Sequence, residues 1–110
     1  MFHLKLNYNQ LITLKATYFQ YCSTLTDINA DIHELLQEKL HSYKYQRDYK
    51  NKYQEYFIFK IDYEKLVNIY YFIEARFVWM EIKNQTLKEI HSMCEKKINK
   101  YEKKNKFISL

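Results

Sequence analysis

The chain has 110 residues and a net charge of +5, from 18 Lys+Arg against 13 Asp+Glu. That length gives one domain with one core, and the charge gives a mild attraction to anionic partners. Glycine and proline are both absent, which excludes phosphate-cradling loops, EF-hand loops and nucleophile elbows, since each needs a residue without Cβ.

Phe2, Leu4, Leu6 and Tyr8 alternate with polar residues, the pattern of a half-buried strand. The same start lacks the basic region, apolar core and small-residue cleavage site of a signal peptide. From Leu11 the apolar residues fall at Leu14, Tyr18, Tyr21, Leu25, Ile28, Ile32 and Leu35, alternating steps of three and four. The stripe then drifts to Leu36, Leu40 and Tyr43, as a helix of ~3.6 residues per turn requires. Ser23-Thr24-Leu25-Thr26-Asp27 offers capping side chains, so one helix ends there and another runs from Asp27 to about Tyr45.

The segment Tyr43 to Tyr56 is the densest in tyrosine. On a helix, Tyr45, Tyr49 and Tyr53 form one stripe, with Lys44, Arg47, Lys50 and Lys52 beside it. Tyrosines supply large contact area to a protein partner at little entropic cost. They also stack on unpaired bases while lysines neutralise phosphates. These seven residues are the candidate partner or nucleic-acid surface.

Phe57, Phe59, Ile61 and Tyr63 alternate in a second strand-like run. Leu66, Tyr70, Ile73, Phe77, Met80, Asn84, Leu87, His91, Cys94, Ile98 and Tyr101 then return to steps of four and three. Leu66 to Ile82 is apolar almost all round, with more surface than one partner helix covers, which predicts a homodimer. Glu74 and Arg76 interrupt this stretch and need either a partner or water. Thr86-Leu-Lys-Glu89 reads as a capping box that marks a helix start or a kink. Glu95 to Lys106 carries six lysines against two glutamates, a solvated helix end suited to the dipole. No repeat, linker or low-complexity block is expected.

The predicted fold is all-α, a long helical hairpin or small helical bundle in a single domain over residues 1–110. The alternative is α+β, with short strands near 2–8 and 56–63. The all-α reading is favoured because tight hairpins draw on glycine for positive φ.

No catalytic or metal-binding residue and no cofactor is assigned. His91 and Cys94 share a helix face, but nothing brings His33 or His41 to them as further ligands. Asp27, Asp31, Glu34 and Glu38 suit a helix N-terminus better than a catalytic cleft. The longest strongly apolar run, Ile69 to Ile73, falls far short of the ~18 residues of a membrane span. The expectation is therefore a non-enzymatic, cytoplasmic protein without membrane association. Its predicted role is that of a small protein-binding regulator or inhibitor that occupies a surface of a larger complex. Its size and AT-rich residue usage suit a mobile element. The alternative is a basic accessory nucleic-acid-binding subunit that uses Tyr45, Tyr49, Tyr53, Lys44, Arg47, Lys50 and Lys52.

Overall fold

In a computed structural model, the backbone is described for residues 1–21, 27–50, 56–80 and 84–108, and the side chains for 1–21, 30–41, 56–78 and 84–105. The elements follow in the order β1 (Phe2–Asn7), α1 (Tyr8–Tyr21), α2 (Asp27–Lys50), β2 (Tyr56–Ile61), α3 (Tyr63–Met80) and α4 (Gln85–Ile108). The fold is a small helical bundle with one short two-stranded antiparallel sheet, β1 against β2. Both strands marked by alternation form, inside a chain that is otherwise helical. Missing glycine does not prevent this. Tight turns between consecutive strands need positive φ, but here two helices lie between the strands in sequence.

The chain divides into two compact units, Met1–Leu4 with Phe59–Leu110, and Lys5–Ile58. Within Lys5–Ile58, α1 packs on α2, and Leu6, Leu11, Leu14, Tyr18, Ile32, Leu36 and Phe57 are buried. Within the other unit, α3 packs on α4, over buried Leu66, Ile69, Ile73, Leu87, Ile90, Cys94 and Ile98. Phe2, Tyr63 and Tyr101 extend that core as a ring cluster. Tyr63 and Tyr101 centroids lie 4.4 Å apart, and Phe2 stands edge-on to Tyr101 at 5.4 Å. Aromatic pairs at such distances add to the burial term.

Among the described residues, α1, α3 and α4 each start at an Asx cap. The Asn7 amide donates to Gln10 Oε1 (2.9 Å) and the Gln10 amide donates to Asn7 Oδ1 (2.8 Å), a reciprocal capping box at the head of α1. Asp62 Oδ1 accepts from the Lys65 amide (2.8 Å) at the head of α3. At the head of α4 the cap is Asn84, whose Oδ1 accepts from the Leu87 amide (3.0 Å). The expected box at Thr86 and Glu89 is therefore corrected. The helix starts at Gln85, which puts Thr86 inside the first turn, and asparagine is the stronger N-cap residue.

A further correction concerns repeats. The element order recurs, β-α-α followed by β-α-α, and the two halves correspond in sequence. Phe2-His-Leu-Lys-Leu-Asn-Tyr8 corresponds to Phe57-Ile-Phe-Lys-Ile-Asp-Tyr63, and Leu11-Ile12 to Leu66-Val67, at a shift of 55. Along α2 and α4 the shift is 58: Asp31-Ile32-His33 corresponds to Glu89-Ile90-His91, and Leu36, Lys39, Leu40 and Tyr43 to Cys94, Lys97, Ile98 and Tyr101. Burial follows the same correspondence. Leu4 and Phe59, Leu6 and Ile61, Leu11 and Leu66, Leu14 and Ile69, Ile32 and Ile90, and Leu36 and Cys94 are all buried pairs. The extra length of α3, 18 residues against 14 in α1, changes the shift partway along. That change, with interchange among apolar residue types, hides the repeat from a search at fixed period.

Candidate nucleic-acid interface

Of the predicted surface, Lys44, Tyr45, Arg47, Tyr49 and Lys50 lie on the last turns of α2. Their backbone is helical, so Tyr45 and Tyr49 are one turn apart on one face. Their side chains, and Lys52 and Tyr53 entirely, lie outside the described residues.

The sheet offers a different surface. Leu4 and Leu6 of β1, and Phe57, Phe59 and Ile61 of β2, are buried, which fixes the pleat. By the period of two, the intervening residues point the opposite way. His3 and Lys5 on β1, and Tyr56, Ile58 and Lys60 on β2, are exposed. Lys5 Nζ lies 4.4 Å from the centroid of the Tyr56 ring, a cation–π contact that steadies a flexible side chain. The exposed strand positions are thus Lys5, Tyr56 and Ile58 in one unit and His3 and Lys60 in the other, with no carboxylate among them. Asn7 and Asp62 follow in sequence, but their side-chain oxygens are committed to helix caps. None of these positions stands out in the sequence until the two strands are known to pair. The signal was present, because alternation that predicts a buried face also defines an exposed one.

His33, His91 and Cys94 serve packing. His91 stacks on Tyr70 at 4.4 Å and stands edge-on to Phe77 at 5.7 Å, with Nε2 3.8 Å from Glu74 Oε1. The Tyr70 hydroxyl donates to Glu74 Oε1 at 3.4 Å. Desolvation, followed by the nearby carboxylates Glu74 and Glu95, raises the Tyr70 pKa. His33, the counterpart of His91, stacks on Phe19 at 6.2 Å. Arg76 covers the Phe72 ring at 4.6 Å. Glu74 and Arg76 therefore each meet aromatic or polar neighbours of their own unit. Cys94 is buried and free, and desolvation pushes its thiol up to about 12, against the smaller lowering effect of Lys97. It is neither a nucleophile nor a ready metal ligand near neutral pH.

A shallow groove of about 590 Å³ is lined by Lys15 of α1 and by His33, Glu34, Gln37, Glu38 and His41 of α2, among others. Its mixed charges favour no ligand class. Among the described residues, no group of three or more His, Cys, Asp or Glu is placed to hold a metal ion, and no helix is long and apolar enough to cross a membrane. No protein-family model, curated protein or solved structure matches the chain.

Proposed function

We propose that this is a non-catalytic DNA-binding protein that lays the exposed face of its two-stranded sheet in the major groove of a duplex. The observation that carries this reading lies within Lys5–Ile58, where exposed Lys5, held over the Tyr56 ring, and exposed Ile58 alternate with buried Leu6 and Phe57. Two strands ~5 Å apart make a ribbon, and a major groove ~12 Å wide admits one. The net charge of +5 adds general attraction to phosphate. Lysine side chains in that groove reach the O6 and N7 acceptors of guanine.

The test is duplex binding by fluorescence anisotropy across a salt series. Log affinity is expected to fall linearly with log salt. The double substitution Lys5→Ala, Lys60→Ala is expected to weaken binding to a preferred duplex ~10-fold or more, as loss of base contacts does. Lys50→Ala with Lys52→Ala gives the contrast: if those residues hold the phosphates, the salt slope flattens by ~2. Unchanged affinity in the Lys5, Lys60 variant, together with a flattened slope in the other, moves the interface to the tyrosine-rich segment. No duplex binding at any salt rejects the DNA reading.

Exposed apolar residues favour a second, protein-binding reading, with another copy of the chain as the partner. Phe19 is 78% exposed on α1, and Tyr71 and Val78 are 60% and 65% exposed on α3. Monomers rarely leave large apolar side chains bare in a row. Under this reading the chain regulates by assembling on itself, and DNA binding is not required.

A further inference from the structure

We infer that a second copy of the chain docks through α2 and α4, the acidic outer face of α2 in one molecule against the lysine face of α4 in the other, with the two helices antiparallel. The inference rests on the self-association reading above and names the surfaces that meet. Each face lies within one compact unit, α2 in Lys5–Ile58 and α4 in the other, and the contact joins two molecules. On α2, where side chains are described over residues 30–41, the exposed residues are Asp31, Glu34, Gln37, Glu38 and His41, with no lysine or arginine among them. Buried Ile32 and Leu36 mark the opposite side of the helix. On α4, Lys96, Lys100 and Lys103 are exposed, while Cys94 and Ile98 are buried. The neighbouring carboxylates of α4 lean toward α3: Glu102 accepts from the Tyr63 hydroxyl at 3.0 Å, and Glu95 lies close enough to act on Tyr70.

The spacing fits the two faces together. Asp31, Glu34 and Glu38 are separated by three and then four residues, and Lys103, Lys100 and Lys96, taken backwards, by three and then four. At ~100° and ~1.5 Å per residue, each set falls within an arc of ~60° in steps of ~4.5 and ~6 Å. Antiparallel helices therefore bring Asp31 opposite Lys103, Glu34 opposite Lys100 and Glu38 opposite Lys96 in one register. A parallel pairing sets a step of three against a step of four, so the antiparallel register is the better match. Among the described residues, none of the six takes part in an ion pair or a side-chain hydrogen bond, so each is open to a partner. The two helices correspond at a shift of 58, and Glu38 stands where α4 has Lys96; the outer face changes sign between the halves. Exposed charge pairs add little affinity but select partner and register. The apolar side chains of the self-association reading supply most of the affinity, and the charges choose which faces meet.

The experiment is sedimentation equilibrium of three full-length chains. One is wild type, one carries Lys96→Glu, Lys100→Glu and Lys103→Glu, and one carries Asp31→Lys, Glu34→Lys and Glu38→Lys. Alone, each reversed chain sets like charges opposite one another and is expected to associate at least ~10-fold more weakly than wild type. An equimolar mixture of the two is expected to regain association, because each reversed face then meets a face of opposite sign on the other molecule. Wild-type association is expected to weaken on going from ~0.1 M to ~1 M salt, where the screening length falls from ~10 Å to ~3 Å. All six positions are exposed, so the far-ultraviolet circular dichroism of the variants is expected to match wild type. Reversed chains that associate as wild type does, or a mixture that associates no better than its components, overturn this inference and leave self-association to the apolar side chains. A wild-type chain that stays monomeric to high micromolar concentration removes the self-association reading together with the inference.

Discussion

Cys94 shows how far a single burial decides chemistry. Its thiol sits in the core of the α3–α4 pair, with a pKa pushed up to about 12 by desolvation. A group whose pKa is raised on folding binds its proton more tightly in the native state. Its contribution to stability is complete below the unfolded pKa of ~8.5. It is lost as pH rises from there through the folded value near 12. In a Cys22→Ser background, the native chain is expected to leave Cys94 unmodified by a thiol reagent at pH 8 and to react fully once unfolded in urea. Conversion of Cys94→Ala should also shift the alkaline unfolding midpoint upward. Rapid native-state labelling at pH 8 contradicts the placement. Tyr63 acts in the same direction at the surface of that unit. Its hydroxyl donates to Glu102 at 3.0 Å, and its pKa is raised by desolvation and then by that bond. Both groups contribute stability that is lost as pH rises.

Among the elements, the helix starts separate what the sequence reveals from what needs coordinates. The three- and four-residue steps locate the helices because apolar spacing is a direct consequence of the helical turn. The buried residues Leu11, Leu14, Tyr18, Ile32, Leu66, Ile73, Leu87, Cys94 and Ile98 all belong to those stripes. The cap at Asn84 was not legible, since Thr86 three residues before Glu89 offers an equally plausible box. Asn84→Ala is therefore expected to cost ~1 kcal/mol in chemical denaturation, and Thr86→Ala under ~0.5 kcal/mol. The opposite ranking would restore the cap to Thr86. The strands were legible as alternation but not as a pair, because pairing across two intervening helices leaves no local mark. For that reason the exposed strand positions His3, Lys5, Ile58 and Lys60 carry no local mark, whereas the tyrosine-rich segment does. Local density of aromatics and lysines is visible in sequence, whereas a surface assembled from two strands about fifty residues apart is not.

At the level of the whole molecule, each unit also leaves apolar side chains outside its core. On α1, Ile12, Ala16 and Phe19 are exposed and spaced by four and then three. On α3, Tyr71, Ala75 and Val78 repeat that spacing, with Tyr71 and Val78 exposed. Such steps place three side chains along one face of a helix over two turns. Each helix thus buries one stripe in its own unit and leaves a second apolar stripe outside, where the opposite face of a surface helix is ordinarily polar. Among the described residues, Tyr71 and Val78 are the exposed part of the apolar stretch expected from Leu66 to Ile82, and α1 carries a stripe of its own. Stripes of this kind on a non-obligate surface associate weakly, because only the residues at their centre contribute much binding energy. The chain is therefore expected to self-associate in a concentration-dependent manner at micromolar levels in sedimentation equilibrium. Phe19→Ser with Val78→Ser is expected to shift it to monomer without changing the far-ultraviolet circular dichroism, since both side chains are already exposed in the free chain. If duplex binding is retained in that variant but loses its steepness with concentration, association and DNA binding are separate surfaces that cooperate. A wild-type chain that stays monomeric to high micromolar concentration refutes the self-association reading, and the two apolar stripes then need another occupant.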